Sequence, residues 1–149
     1  MAVEKFKLGA VATLLSTELD SLANNATAVA TTPYNNVQGG DGGDGYALAE
    51  VELVVTYGVA PAANTGVAVW FLAQIDGTNY EDGSASITPA RIPDVVLGVR
   101  PVTTAQRIIR RVALPQGIWK ACVKNEGVGQ AMAATGSTLK IRPASREGI

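Results

Sequence analysis

The sequence predicts an all-β fold, a single-domain antiparallel β-sandwich over residues 1–149 with at most one short helix near the N-terminus. Val, Ile, Thr and Tyr recur in short runs broken by Gly, Pro, Asn and Asp, at the spacing of a sandwich or barrel. In the run from Glu50 to Tyr57, Val51, Leu53, Val55 and Tyr57 alternate with Glu50, Glu52, Val54 and Thr56, which buries one face and leaves the other mixed. Hydrophobic residues are 47% of the 149 and charged ones 17%, enough apolar material for one core and too little charge for a disordered chain.

Residues 1–12 are read as an extended arm, entering a first strand over Lys7 to Leu14. Glu4 interrupts the basic start, which argues against a secretory signal. Between Ser16 and Asn25 lies the one helical turn: Ser16 or Thr17 is placed to cap it, Leu15, Leu19 and Leu22 repeat at spacings of four and three, and Asn24-Asn25 ends it. A strand over Thr27 to Thr32 follows. The Gly39 to Gly45 stretch, with Tyr46 and Ala47, matches one Ca2+-binding nonapeptide of a parallel β-roll, but a solitary copy lacks the second layer of ligands, so a Gly-permissive surface loop is expected.

Strands are expected next over Tyr46 to Tyr57 and Val67 to Ile75. The uncharged stretch from Leu53 to Ile75 is not a membrane helix, because Pro61 and Asn64-Thr65-Gly66 break its centre. In the second of these strands both faces are apolar, with Val67, Val69, Phe71 and Ile75 on one and Trp70 and Leu72 on the other. Either that strand is central and covered twice, or its second face is an interface. The three carboxylates of Asp76 to Gly83 follow a strong turn signal, and a solvated turn is expected rather than a cation, sugar or glycosidase site.

The remaining strands are Gln106 to Leu114, Ile118 to Asn125 and Thr138 to Arg142. In the first, the adjacent pairs Ile108-Ile109 and Arg110-Arg111 break alternation and predict a bulge. The expected core comprises Val51, Leu53, Val55, Val69, Phe71, Ile108, Val123 and Ile141.

Counting side chains removes most chemistry. There is no His, and the one Cys, Cys122, lies among apolar neighbours as a small buried hydrophobe, so no Ser-His-Asp or Cys-His pair, Cys/His zinc site or internal disulfide can form. No catalytic residue, metal ligand or cofactor is assigned, and no dinucleotide or phosphate-binding loop occurs.

The net charge of -1 conceals an asymmetry: residues 1–99 hold 3 of 12 basic and 11 of 13 acidic side chains, giving -8, and residues 100–149 hold 9 and 2, giving +7. Two explanations stand. Strands of the two halves neutralise each other within one sheet, or opposite surfaces meet head to tail between copies. The basic residues include Arg107, Arg110, Arg111, Lys120, Lys124, Lys140, Arg142 and Arg146, with too few aromatics among them to favour nucleic acid. Trp70, Leu72, Arg107, Arg110 and Arg111 are the candidate interface residues; burial under a loop is the alternative for Trp70 and Leu72.

Several segments together resemble small virion structural proteins of tailed bacteriophages. They are residues 15–25, Glu50-Val51-Glu52-Leu53, residues 76–83, Leu114-Pro115-Gln116-Gly117-Ile118-Trp119-Lys120 and Lys124-Asn125-Glu126-Gly127. Gln116, where the family more often has a second Pro, and the Gly39 to Gly45 insertion depart from its pattern. The resemblance implies a jelly-roll-like subunit without catalysis, assembled in the bacterial cytoplasm into the particle. It further implies a capsid cement or decoration protein, commonly a homotrimer, whose partners are itself and the major capsid protein or other virion proteins. Neither a membrane nor a direct nucleic-acid role is expected. A tail or baseplate component is the alternative reading, and a carbohydrate-binding β-sandwich module a more distant one.

Overall fold

The computed structural model describes residues 4–37 and 45–148. Within them run ten strands: β1 (Glu4–Leu8), β2 (Ala12–Leu15), β3 (Thr27–Val29), β4 (Tyr34–Asn36), β5 (Leu48–Val55), β6 (Thr65–Ala73), β7 (Val95–Val99), β8 (Gln106–Ala113), β9 (Gly117–Glu126) and β10 (Thr138–Gly148). They form two five-stranded antiparallel sheets. In the first the order is β1-β10-β5-β8, with β2 also on β10; in the second it is β3-β9-β6-β7, with β4 also on β9. If β1 and β2 are taken as one broken strand, and β3 and β4 as another, the chain is a single long hairpin. Its successive pairs, β1/β2 with β10, β3/β4 with β9, β5 with β8 and β6 with β7, fall in alternate sheets, which is the winding of a jelly roll.

Alternation along the strands builds the core between the sheets. Val51, Leu53 and Val55 of β5, Leu139 and Ile141 of β10, Val67, Val69 and Phe71 of β6, and Ala121 and Val123 of β9 are all buried in one cluster. Trp119 stacks in tilted geometry between Phe71 and Tyr34, with ring centroids at 4.6 and 4.9 Å. Of the expected core residues only Ile108 is half-buried, because β8 is an edge strand and lacks a neighbour on one side.

Local chemistry explains the departures from expectation. The first strand is broken in two at Gly9, where a Cβ would lie 2.7 Å from the Tyr46 ring and 2.8 Å from Pro143, so only glycine lets the chain pass. The helical segment shortens to a 3-10 turn, Thr17–Leu19, with no side-chain cap from Ser16; the Glu18 carboxylate accepts the Ser16 N–H instead, at 3.0 Å. Leu19 and Leu22 are buried beneath it, and Asn25, at φ 62°, closes the segment.

The expected bulge in β8 is absent. β8 pairs with β5 without a register shift from Leu48↔Ala113 to Val55↔Gln106, so Ile108 and Arg110 lie on one face and Ile109 and Arg111 on the other. The irregularity falls in β10 between Leu139 and Lys140, where it meets β2. Two strands were not anticipated, β4 and β7, and β10 continues through Pro143 to pair with β1.

Candidate functional site

The second apolar face of β6 is covered by its own chain. Trp70 and Leu72 are buried in a small cluster with Ala68 and Cys122, against Val29 and Tyr80. The cover is the 74–94 connection, which folds back over the second sheet: the Trp70 indole N–H donates to the Arg91 carbonyl at 3.0 Å, and a side chain at Gly83 would collide with Leu72 and Pro89. β6 is thus central and covered on both sides, and Trp70 and Leu72 are withdrawn from any contact with another copy.

Arg91 and Asp94 hold this cover. The Asp94 carboxylate accepts the Phe71 N–H at 2.7 Å, and Arg91 donates to the Phe71 carbonyl at 3.0 Å and to Asp94 at 2.9 Å. The two side chains stand in for a neighbouring strand just past Val69, where β7 ceases to pair with β6. Arg91 also donates to Glu81 at 2.6 Å, and that hydrogen bond first, then Asp94, raises an already strongly basic guanidinium further.

The three arginines of β8 have separate fates. Arg107 pairs with Glu52 at 2.5 Å, and Arg111 lies 3.8 Å from Glu50, which Arg142 of β10 also engages from the other side. Here acidic β5 lies between basic β8 and basic β10, so much of the opposition between the chain's halves cancels within one sheet. Arg110 is different. It lies opposite Val51 in register, on the inward side of an edge strand, and no carboxylate partners it among the described residues.

The outward face of the first sheet combines these ion pairs with apolar side chains. Leu8, Ala144, Leu48 and Ala113 stand side by side in register across β1, β10, β5 and β8, and the next row is Arg142, Glu50 and Arg111. Phe6, Leu8, Val11 and Ile109 are between 54% and 62% exposed on this side. Arg146 lies over the Phe6 ring at 5.6 Å, and a hollow of about 270 Å³ opens between Val11, Ile109 and the aliphatic stems of Lys140 and Arg142. A row of apolar groups, exposed at Leu8 and Ala113 and half-buried at Leu48 and Ala144, rimmed by charge has the composition of a contact surface.

Composition alone did not reveal this face, since β1 and the end of β10 meet only through long-range pairing; the runs Phe6-Lys7-Leu8 and Ile108-Ile109 were its only local signal. The carboxylates of the acidic loop are not brought together. Asp76 accepts the backbone N–H of Asn79 and of Thr78, Glu81 pairs with Arg91, and Asp82 is exposed. Among the described residues no group of three His, Cys, Asp or Glu is placed to hold a metal. Most of the Gly39 to Gly45 loop lies outside the described residues. The Cys122 thiol is pushed up to about 11 by burial, which keeps it protonated and unreactive at neutral pH. No helix among the described residues is long and apolar enough to cross a membrane. No protein-family model matches the chain, and a search of curated proteins finds no relative.

Proposed function

We propose that the chain is a non-enzymatic structural protein of a bacteriophage virion, a cement or decoration protein that stabilises the head shell. One observation carries this reading: a jelly-roll subunit presents, on the outer face of its first sheet, a partly exposed apolar row bordered by ion pairs, with Phe6, Leu8, Val11 and Ile109 more than half exposed among the described residues. The chemistry of the rest is consistent with it. The chain has no His, and its one thiol is buried and protonated. Four of the five segments that resemble virion proteins fall at turns or strand ends, namely the 3-10 turn, the tip after β6, the β8–β9 turn and the end of β9, and the fifth, Glu50-Val51-Glu52-Leu53, lies within β5.

In this proposal the outer face docks on the shell, the major capsid protein is the partner, and copies assemble as a homotrimer. The test adds the full chain to undecorated heads of the phage that encodes it and measures co-sedimentation. Wild type should bind. Replacing Phe6, Leu8 and Ile109 together by Ser should reduce binding at least tenfold with the melting temperature kept within a few degrees, since all three are exposed. Binding unchanged by the triple substitution overturns the assignment of this face. Binding to isolated tails and not to heads replaces the cement reading with the tail or baseplate one.

A further inference from the structure

The two ends of β6 carry surfaces of opposite charge that cannot meet within one molecule. Nine strand residues at about 3.3 Å each put them about 30 Å apart. At the far end, just past Ala73, Ile75 is fully exposed. Beside it, the Asp76 carboxylate accepts the N–H of Asn79 at 2.7 Å, the Asn79 side-chain amide at 2.7 Å and the N–H of Thr78 at 2.8 Å, so the tip is held in one shape. These bonds pull the Asp76 carboxyl down to about 2 and keep it ionised. Glu81 is engaged by Arg91, and Lys120 lies over the Tyr80 ring at 4.7 Å. Asp76 and Asp82 have no cationic partner among the described residues.

At the near end of β6 an open groove of about 570 Å³ runs between Ala63, Gly66, Val96, Gly98, Arg100 and Arg110. Gly66 and Gly98 are partners in register between β6 and β7, and the floor is open at Gly98 only, since at Gly66 the Val96 side chain already lies 2.9 Å from where a Cβ would stand. A Cβ built on Gly98 finds no atom closer than 4.0 Å, so the missing side chain leaves open space. The Arg100 and Arg110 guanidinium groups have no carboxylate partner among the described residues; the acid nearest in register, Glu126 opposite Gly66, is engaged by Lys124 at 3.4 Å.

We infer that copies of this chain associate head to tail, the 75–82 tip of one copy entering the glycine-floored groove of the next. Ile75 fills the apolar floor, and Asp76 and Asp82 face Arg100 and Arg110. Because tip and groove are different surfaces, the contact is heterologous and closes into a ring when the rotation between copies permits. The charges fix register and partner, and the buried Ile supplies the apolar anchor. The inference rests on the reading of the chain as an assembling subunit and deepens it; it leaves the outer face of the first sheet free for the shell.

The experiment uses the full chain at micromolar concentration in an analytical ultracentrifuge. Wild type should sediment as an oligomer. Ile75→Asp disables the tip at a fully exposed position and Gly98→Leu fills the groove from a position with open space, so each variant alone should be monomeric with an unchanged melting temperature. Mixed in equal amounts they should form a one-to-one heterodimer, because one intact tip and one intact groove remain between them. A monomeric wild type, an oligomeric single variant, or a mixture that stays monomeric overturns the inference. If Gly98→Leu lowers the melting temperature, Arg110→Glu reads the same groove: it should dissociate the oligomer, and Arg110→Glu combined with Asp82→Arg should restore it. Failure to restore it counts against the proposed pairing. Co-sedimentation of the same proteins with heads separates the two proposals, since monomeric variants that still bind heads leave the cement reading intact, and an oligomer that never binds heads leaves only the tip-to-groove contact.

Discussion

The Tyr57 hydroxyl donates to Oδ1 of Asn125 at 3.0 Å and ties the two sheets together at one end of the core. Tyr57 lies just past β5 in the first sheet and Asn125 near the end of β9 in the second. The Asn125 amide nitrogen in turn donates to the carbonyls of Gln130 at 2.8 Å, Leu22 at 3.1 Å and Ala23 at 3.3 Å, so one buried side chain holds the segment after the 3-10 turn, the loop after β9 and the opposite sheet. Removing the hydroxyl strands a buried acceptor. Tyr57→Phe is expected to lower stability by about 1–3 kcal/mol and Asn125→Ala by more, since it orphans several groups at once. Urea denaturation reads this as a lower midpoint at constant slope.

Alkaline pH should weaken the fold through two buried groups. Burial pushes Cys122 up to about 11 from 9.0 and Tyr57 up to about 12 from 10.0. In both, the folded state holds the proton more tightly than the unfolded chain. Their contribution is therefore complete below pH 9 and is lost as pH rises, through 9 to 11 for Cys122 and through 10 to 12 for Tyr57. The melting temperature should be flat in pH from neutrality to 9 and fall above it; in Tyr57→Phe the fall should be shallower above pH 10. A melting temperature level to pH 12 contradicts the burial of both.

Phe71 projects from β6 into the core against Trp119. Phe71→Ala is expected to destabilise by about 3–5 kcal/mol, the range for a large aromatic removed from a packed interior. A loss below about 1 kcal/mol, measured by chemical denaturation, would show that the sheets do not pack around it.

Arg91 is the fastening of the 74–94 cover. Arg91→Ala should leave the core standing but release the segment over Trp70, so the fluorescence emission shifts to the red and cleavage by protease appears within residues 74–94. Trp119, in the core on the other side of the sheet, keeps the remaining emission blue. Identical spectra and protease resistance in the variant would show that the cover is held by its apolar contacts alone.

Alternation made β5 legible, because Val51, Leu53 and Val55 against Glu50 and Glu52 specify which face is wet whatever the partner strand is. The doubly apolar run around Trp70 likewise required something against each face, and left open whether the second was covered by the chain itself or by another copy. β7 was not legible: Val95-Val96-Leu97-Gly98-Val99 is short, lacks alternating polarity, and is a strand because β6 offers it a free edge. β4 is three residues long and is held by the buried Asn36, whose amide donates to the Tyr46 and Pro115 carbonyls at 2.8 Å each.

The candidate sites divide along the same line. Residue type alone excluded histidine-based chemistry and an internal disulfide and marked the chain as two oppositely charged halves. Which charges cancel was decided by register, which sets Glu50 opposite both Arg111 and Arg142 and turns Arg110 away toward a groove. Which apolar face remained open was decided by the 74–94 connection, which covers Trp70 and Leu72, and by the pairing of β1 with β10, which gathers Phe6 and Leu8 beside Ala144. A side chain's face along a strand follows from a local period of two, but what lies against that face follows from contacts between segments distant in the chain, and those exist only once the long hairpin has rolled up.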